Sequence, residues 1–199
     1  IPRDPSGPGK QMLRPPKKYE EYAYVLDELP HGRPGAQRSQ YHGRAVIQIV
    51  GDSFFTLLEA VPHKDARFPQ GERIYVGKKG RTKVEHILGR INYDELSSGA
   101  KSELPVALET IIRADEGRFI NFFNNSQPLT PRMHAMELIP GIGKRLMWQI
   151  IEQRDRVPFD GFEDLQSRVN LTDPVKLLAR RVIKELSEEE KYQLFVRPG

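Results

Sequence analysis

Pro140 constrains this chain more than any other residue. It stands between two stretches of helical periodicity and lacks the amide proton needed to join them into one helix. Upstream, Thr130-Pro131 reads as an N-cap followed by proline at the first helical position, which predicts a helix through Met133, Met136 and Glu137. Downstream, Leu146, Met147, Ile150, Ile151 and Arg154 recur at three- and four-residue spacing and predict a second helix. Only a tight turn fits between them, and Gly141 and Gly143 free its backbone.

The first amides of the second helix have no intrahelical partner, and the helix dipole is positive there. With no side chain on Gly141 or Gly143, those amides can meet a phosphate oxygen, and Lys144 and Arg145 add charge beside them. Gly141, Ile142, Gly143, Lys144 and Arg145 are therefore candidate nucleic-acid contacts. Nothing in the turn can read a base edge, so such contacts carry no sequence information. The stretch Leu138 to Arg145 resembles the helix-hairpin-helix motif, which implies phosphate-backbone binding. The plainer alternative is an αα-hairpin whose glycines serve the turn alone.

The net charge of +4 needs dissecting before it says anything about partners. Residues 1–18 set Arg3, Lys10, Arg14, Lys17 and Lys18 against Asp4 alone, which accounts for all of it. The remainder is neutral but segregated: residues 31–90 hold 11 Lys/Arg against 5 Asp/Glu, a local balance of +6. Residues 19–30 and 91–128 are acidic, at −4 and −3. A basic face is expected on the first half of the chain. There is no cysteine, so neither a disulfide nor a thiolate metal site is available. The five histidines (31, 42, 63, 86 and 134) lack metal-ligand spacing, and the sequence calls for no metal or cofactor. No apolar run approaches the roughly 20 residues that span a bilayer, so a soluble, cytoplasmic protein with no membrane partner is expected. The chain opens on Ile1, and Met12 is a candidate native start.

In chain order, residues 1–18 are rich in proline and glycine and read as a disordered basic tail. Residues 19–91 read as β. Strands are expected around Tyr22–Leu26, Ala45–Val50, Phe54–Val61, Glu72–Val76 and Lys83–Ile91, with a two-residue turn at Gly51-Asp52. Five short strands with glycine turns predict a small closed barrel of the OB or SH3-like kind. Lys78, Lys79, Arg81 and Lys83 in its last turn, with Tyr75 beside them, are the candidate barrel contacts, on the pattern of basic grooves with stacking aromatics. The alternative for Tyr75 is a place in the core. Arg33, Arg38, Arg44 and Tyr41 lie in or beside a loop from His31 to Tyr41 that is expected to be mobile. Residues 92–128 read as a helical connector, capped at Ser102, whose Leu104, Leu108, Ile111, Ile112, Phe119, Phe122 and Phe123 belong to the core. Residues 129–199 form the helix-hairpin-helix domain. Its second hairpin, at Arg168–Asp173, lacks the glycines and is degenerate, while Asp173-Pro174 caps a helix to about Leu186. Ser187 and Glu190 make a capping box for a last helix with Tyr192 and Leu194. The fold class is thus α+β: a five-stranded barrel followed by an all-α domain.

The phrase Pro158-Phe159-Asp160-Gly161-Phe162-Glu163-Asp164-Leu165 resembles the DNA-binding repeat of bacterial competence DNA receptors. With the strand Gly71–Gly77 and the Leu138–Arg145 turn, the chain from about Met12 resembles an uncharacterised archaeal family of nucleotide-binding or RNA-binding proteins. That resemblance implies nucleic-acid binding, with RNA slightly favoured, and no reaction. DNA glycosylases also use the hairpin, with an aspartate about 20 residues beyond it; Asp160 and Asp164 follow Gly143 by 17 and 21 residues. Both have helix-cap roles, and too little chain remains for the second lobe that would hold a flipped base. The reading is of a non-catalytic, largely sequence-independent nucleic-acid binder. The alternative class is a protein-interaction module with a structural hairpin domain.

Overall fold

The computed structural model describes residues 19–35 and 43–197. The basic tail 1–18, and Arg38 and Tyr41 of the His31–Tyr41 loop, lie outside the described residues. Five strands come first: β1 (Tyr22–Leu29), β2 (Val46–Gly51), β3 (Leu57–Pro62), β4 (Arg73–Tyr75) and β5 (Val84–Arg90). They pair antiparallel in the order β4-β1-β2-β3-β5. Among the described residues no ladder joins β4 to β5, so the sheet is a curled half-barrel rather than the expected closed barrel. Side chains bridge the gap instead: Lys83 meets Glu72 at 2.5 Å, and Ile74, Val76 and Val84 pack in one cluster.

Both faces of the sheet are buried, for separate reasons. Strand residues alternate faces, so Ala23, Val25, Ile47, Ile49 and Ala60 fill the concave side of the curl. Tyr24, Leu26, Val50 and Leu57 point the other way, into a core shared with the helices. The helices are α1 (Ser98–Ala114), α2 (Glu116–Asn125), α3 (Lys144–Arg156), α4 (Phe162–Arg168) and α5 (Pro174–Ser187). α1 packs against both β1 and α5. Leu104, Leu108, Ile111, Ile112, Phe119 and Phe123 are buried there, and Phe122 is half-buried against them.

Gln48 is the polar exception in β2. It is fully buried and fully used, donating to Glu59 Oε1 (3.1 Å) and the Glu95 carbonyl (3.0 Å) while accepting from the Ser97 amide (2.8 Å). Those bonds fix the sheet to the start of α1, whose cap is Ser97 rather than Ser102: Ser97 Oγ accepts from the Ala100 amide at 2.9 Å. Ser102 lies inside the helix and bonds back to the Ser98 carbonyl.

Three other local expectations are corrected. The β2–β3 connection is longer than a two-residue turn, running through residues 52–56, and the Gly51 amide donates to the Thr56 carbonyl. Buried Glu20 closes it by accepting from the Ser53, Phe54 and Thr56 amides. A side chain at Gly51 would collide with that carboxylate. The helix expected from Pro131 does not form. Residues there make a small antiparallel ribbon, β6 (Pro128–Thr130) and β7 (Met133–His134), and then one 3-10 turn, Ala135–Leu138. The Thr130 hydroxyl accepts from the Arg132 amide in the ribbon's turn instead of capping a helix. The last expected helix is also absent. The amides of Leu194, Phe195 and Val196 turn inward to the buried Glu185 carboxylate, while Glu190 pairs with Arg181 and Lys184. Ser187 is the end of α5, not a cap.

Candidate nucleic-acid interface

The turn before α3 is built from its upstream end. His134 Nδ1 accepts from the Met136 amide (3.1 Å), and Glu137 accepts from the His134 amide (2.7 Å), a reciprocal cap that starts the 3-10 turn. The Ile139 and Ile142 amides then close successive turns onto Met136 and Ile139. Ile142 is buried and plugs the core, so only its backbone faces outward. Arg181, fully buried in α5, donates to the Leu138 carbonyl (3.2 Å) and holds the turn down from behind.

The two glycines of the turn differ. Gly141 has φ +95°, a conformation other residues adopt at a cost, and a methyl there would stand 3.0 Å from Leu177 Cδ2 of α5. Gly143 has an ordinary φ of −87°, is the N-cap of α3, and has open space where a side chain would be. No side chain caps the helix there, and the ladder begins with the Met147 amide on the Gly143 carbonyl. Lys144 and Arg145 are exposed and, among the described residues, unpaired. One turn further on the same face stands Trp148, 63% exposed and the chain's one tryptophan. The sequence reading passed over it, although a tryptophan flanked by core positions Met147 and Ile150 marks it as facing outward.

The Pro158–Leu165 phrase is structural support for this unit. Phe159, Phe162 and Leu165 are buried, and Asn124 of α2 makes paired bonds to the Phe159 amide and carbonyl at 2.8 and 2.9 Å. Glu116 accepts from the Phe162 amide in a space that a side chain on Gly161 would occupy. Asp164 accepts from the Asp160 amide (3.1 Å) and from Arg168 (3.0 Å). Those contacts, the amide foremost, hold its carboxyl below the usual carboxylate value. The start of α5 answers α3 in reverse. Asp173 accepts from the Lys176 amide, and Pro174 occupies the first helical position, as the sequence predicts.

On the sheet, the candidate cations separate into free and committed ones. Lys79 is exposed and Arg81 half-buried, both unpaired among the described residues. Lys78 lies 4.2 Å above the ring of Tyr19. Lys83 is committed to Glu72 and the Arg67 carbonyl. Tyr75 packs edge-on against Tyr22 (5.4 Å between centroids) and covers the bare backbone of Gly77. Arg33 and Arg44 are also engaged, with Glu59, Glu95 and Glu85. Among the described residues no cluster of three or more His, Asp or Glu side chains is arranged to hold a metal, and no helix is long and apolar enough to cross a membrane.

A curled antiparallel half-barrel roofed by five helices, with a glycine-led helix start left open at its surface, places the chain in a defined α+β class. Within that class it belongs to the family described as "Protein of unknown function (DUF655)", whose model matches residues 19–197. It is similar to the uncharacterized protein MJ0038 of Methanocaldococcus jannaschii, at 40% identity over 92% of this chain and 82% of the relative. It is also similar to the crystal structure of Af1531 from Archaeoglobus fulgidus, a member of the same family. That match has a TM-score of 0.82 and 42% identity, and covers 89% of this chain and all of the other. These relatives are uncharacterised archaeal proteins, as the resemblance in the sequence implied.

Proposed function

We propose that this protein is a non-catalytic nucleic-acid-binding protein that holds the phosphate backbone at the start of α3 and on the basic surface of the sheet. The observation that carries the proposal is the pairing of an empty, side-chain-free N-cap at Gly143 with unpaired, exposed Lys144 and Arg145. Free amides, dipole and two cations then converge on one anion-sized space. Gly141 and Ile142 shape the turn and contribute backbone; Lys78, Lys79 and Arg81 extend the contact. Lys83 and Tyr75 support the surface through their own partners. RNA is placed ahead of DNA on the resemblance and the small curled sheet. In this reading the turn is a helix-hairpin-helix whose first helix has shrunk to a single 3-10 turn.

The test is a titration with labelled nucleic acid at several salt concentrations. Binding should weaken with salt, with a log–log slope of about 0.7 per contacted phosphate on a single strand and about 0.9 on a duplex. Gly143→Val should fold normally, since nothing lies within 4 Å of a Cβ placed there and the backbone φ is ordinary, and should lose at least about fivefold in affinity, close to 1 kcal/mol. Trp148 fluorescence should respond to ligand in the native protein and much less in the variant. A folded Gly143→Val protein with native affinity would overturn the proposal.

A further inference from the structure

Beside the Lys78–Arg81 turn, the open edge of the sheet's concave side carries a groove of about 690 Å³ that none of the sequence motifs announced. Its floor is aliphatic, formed by Leu58, Val76 and Ile87, and Tyr19 and Phe54 stand in its walls. Lys78, Arg81, Arg90 and Arg197 also line it. The groove's carboxylate, Glu20, is turned into the backbone, where the amides of Ser53, Phe54 and Thr56 occupy it. The groove is thus apolar at the bottom and positive around its opening. Two of its cations are held against its own aromatics: Lys78 lies 4.2 Å over Tyr19, and the Arg197 guanidinium 4.6 Å over Phe54. Arg90 in turn donates to the Arg197 carbonyl at 3.1 Å, which fixes the corner.

An occupant must bring a flat or apolar body and an anion at once. A stacked base inside a duplex brings the anion and hides the body, whereas an unpaired nucleotide brings both. The volume suits one such unit, within the range of small-ligand sites. We infer that this groove takes a single unpaired base of a nucleic-acid strand, with Tyr19 as its stacking surface and Lys78, Arg81 and Arg90 on the adjoining phosphates. The inference rests on the phosphate-binding reading above and adds that the preferred ligand is single-stranded. It also assigns binding roles to Tyr19 and Phe54, which the sequence reading left out. Tyr19 is 55% exposed, so it contributes little to the core and is available to a ligand.

The decisive probes are a fluorescein-labelled uridine homopolymer of about 12 nucleotides, within the ~4–16 nucleotide range of single-strand sites on small barrels, and an abasic strand of equal length and charge. The native protein should bind the base-bearing strand at least tenfold more tightly than the abasic one, equivalent to 1.4 kcal/mol. Tyr19→Ala should reduce that ratio to below about threefold while leaving abasic binding unchanged. Ile87→Glu, which puts a carboxylate on the floor, should bring the ratio below about threefold as well while weakening binding of both strands, and thermal melting of both variants checks that they fold. Gly143→Val should weaken both probes alike and keep the ratio. Equal affinity for the two probes, or a native ratio in folded Tyr19→Ala and Ile87→Glu proteins, would overturn the inference and leave the phosphate-binding proposal standing. Absence of binding to either strand at low salt would overturn that proposal and the inference with it.

Discussion

The starts of α3 and α5 are built from the same structural grammar and finished in opposite ways. α5 is sealed: Asp173 supplies an oxygen to the Lys176 amide, and Pro174 removes one of the donors that would otherwise need a partner. α3 is open: Gly143 supplies no oxygen, and the next two residues are lysine and arginine. A sealed start with a carboxylate repels an anion, and an open one with two cations invites it. The difference shows that a helix start becomes a binding surface by leaving out a stabilising cap. The stability forgone by a glycine in place of an oxygen-bearing cap, roughly a few tenths of a kcal/mol, has to be supplied elsewhere. Here α5 supplies it, packing Leu177 against Gly141 and holding the Leu138 carbonyl through Arg181.

The largest expected effect follows from that division of labour. Arg181 is 1% exposed and bonds Glu185 (2.8 Å), Glu190 (3.2 Å), the Tyr192 carbonyl (2.5 Å) and the Leu138 carbonyl (3.2 Å). Arg181→Met leaves the Glu185 carboxylate buried without its cation, which should cost about 3–5 kcal/mol of unfolding free energy in urea titrations. Adding Glu185→Leu should not restore stability as it does for an isolated buried pair, because the amides of Leu194, Phe195 and Val196 then lose their acceptor. Recovery to within about 1 kcal/mol of the native protein would mean that the ion pair, not the strapped tail, is what Arg181 serves.

The next effect exchanges the two helix starts. Gly143→Asp gives α3 the cap that α5 has, in a backbone already extended as a cap requires (φ −87°, ψ 178°). It should raise stability by roughly a few tenths of a kcal/mol and lower nucleic-acid affinity about tenfold or more, because a carboxylate then fills the anion space. Asp173→Ala should lower stability by about 1 kcal/mol and leave affinity within about twofold. Gly141→Ala separates the roles of the two glycines. It should cost about 1–2 kcal/mol through the left-handed backbone and the contact with Leu177, whereas Gly143→Ala should cost less than about 1 kcal/mol, the preference of an N-cap for glycine over alanine. If Gly143→Asp stabilised the protein and left binding unchanged, the open start of α3 would be a turn and nothing more.

What was legible in the sequence follows from how local each cause is. The five strands announce themselves because alternation is a property of neighbours, and Asp173-Pro174 fixes the start of α5 because cap and N1 proline act within one turn. Thr130-Pro131 carries the same kind of signal and forms a ribbon turn instead. Proline's fixed φ suits a β-turn as well as a helix start, and the deciding cap is His134, a residue seldom used so. A cap at Ser102 would have put Pro105 in a first helical turn, where proline is tolerated; α1 starts a turn earlier, at Ser97, because Gln48 on β2 seizes the Ser97 amide. The box of Ser187 and Glu190 is a fair local pattern overridden by Glu185. The turn of the candidate site lies in one stretch and could be read. The groove could not, since its walls come from residues 19–20, 54–58, 76–90 and 197, which only the sheet register brings together.

The smallest effect probes the open start through its foundation. His134 begins the 3-10 turn that leads to Gly143, and it does so as an acceptor, through Nδ1. Burial, then the nearby Arg154 guanidinium, lowers its pKa below the ordinary 6.5, against a weaker opposing pull from Glu137. The unfolded chain therefore takes up the proton at a higher pH than the folded one does. Stability from this residue is complete above about pH 6.5 and falls as the pH drops toward the folded value, by at most about 1.4 kcal/mol per pH unit. Between about pH 7.5 and pH 5.5 the urea midpoint should fall. His134→Asn, which keeps an accepting oxygen at the cap and cannot titrate, should remove most of that fall while changing stability little at neutral pH. Because the protonated ring cannot accept from the Met136 amide, Trp148 fluorescence should also shift over the same range, and not in the variant. A pH dependence that survives His134→Asn unchanged would place its origin in another group and detach the turn before α3 from the titration.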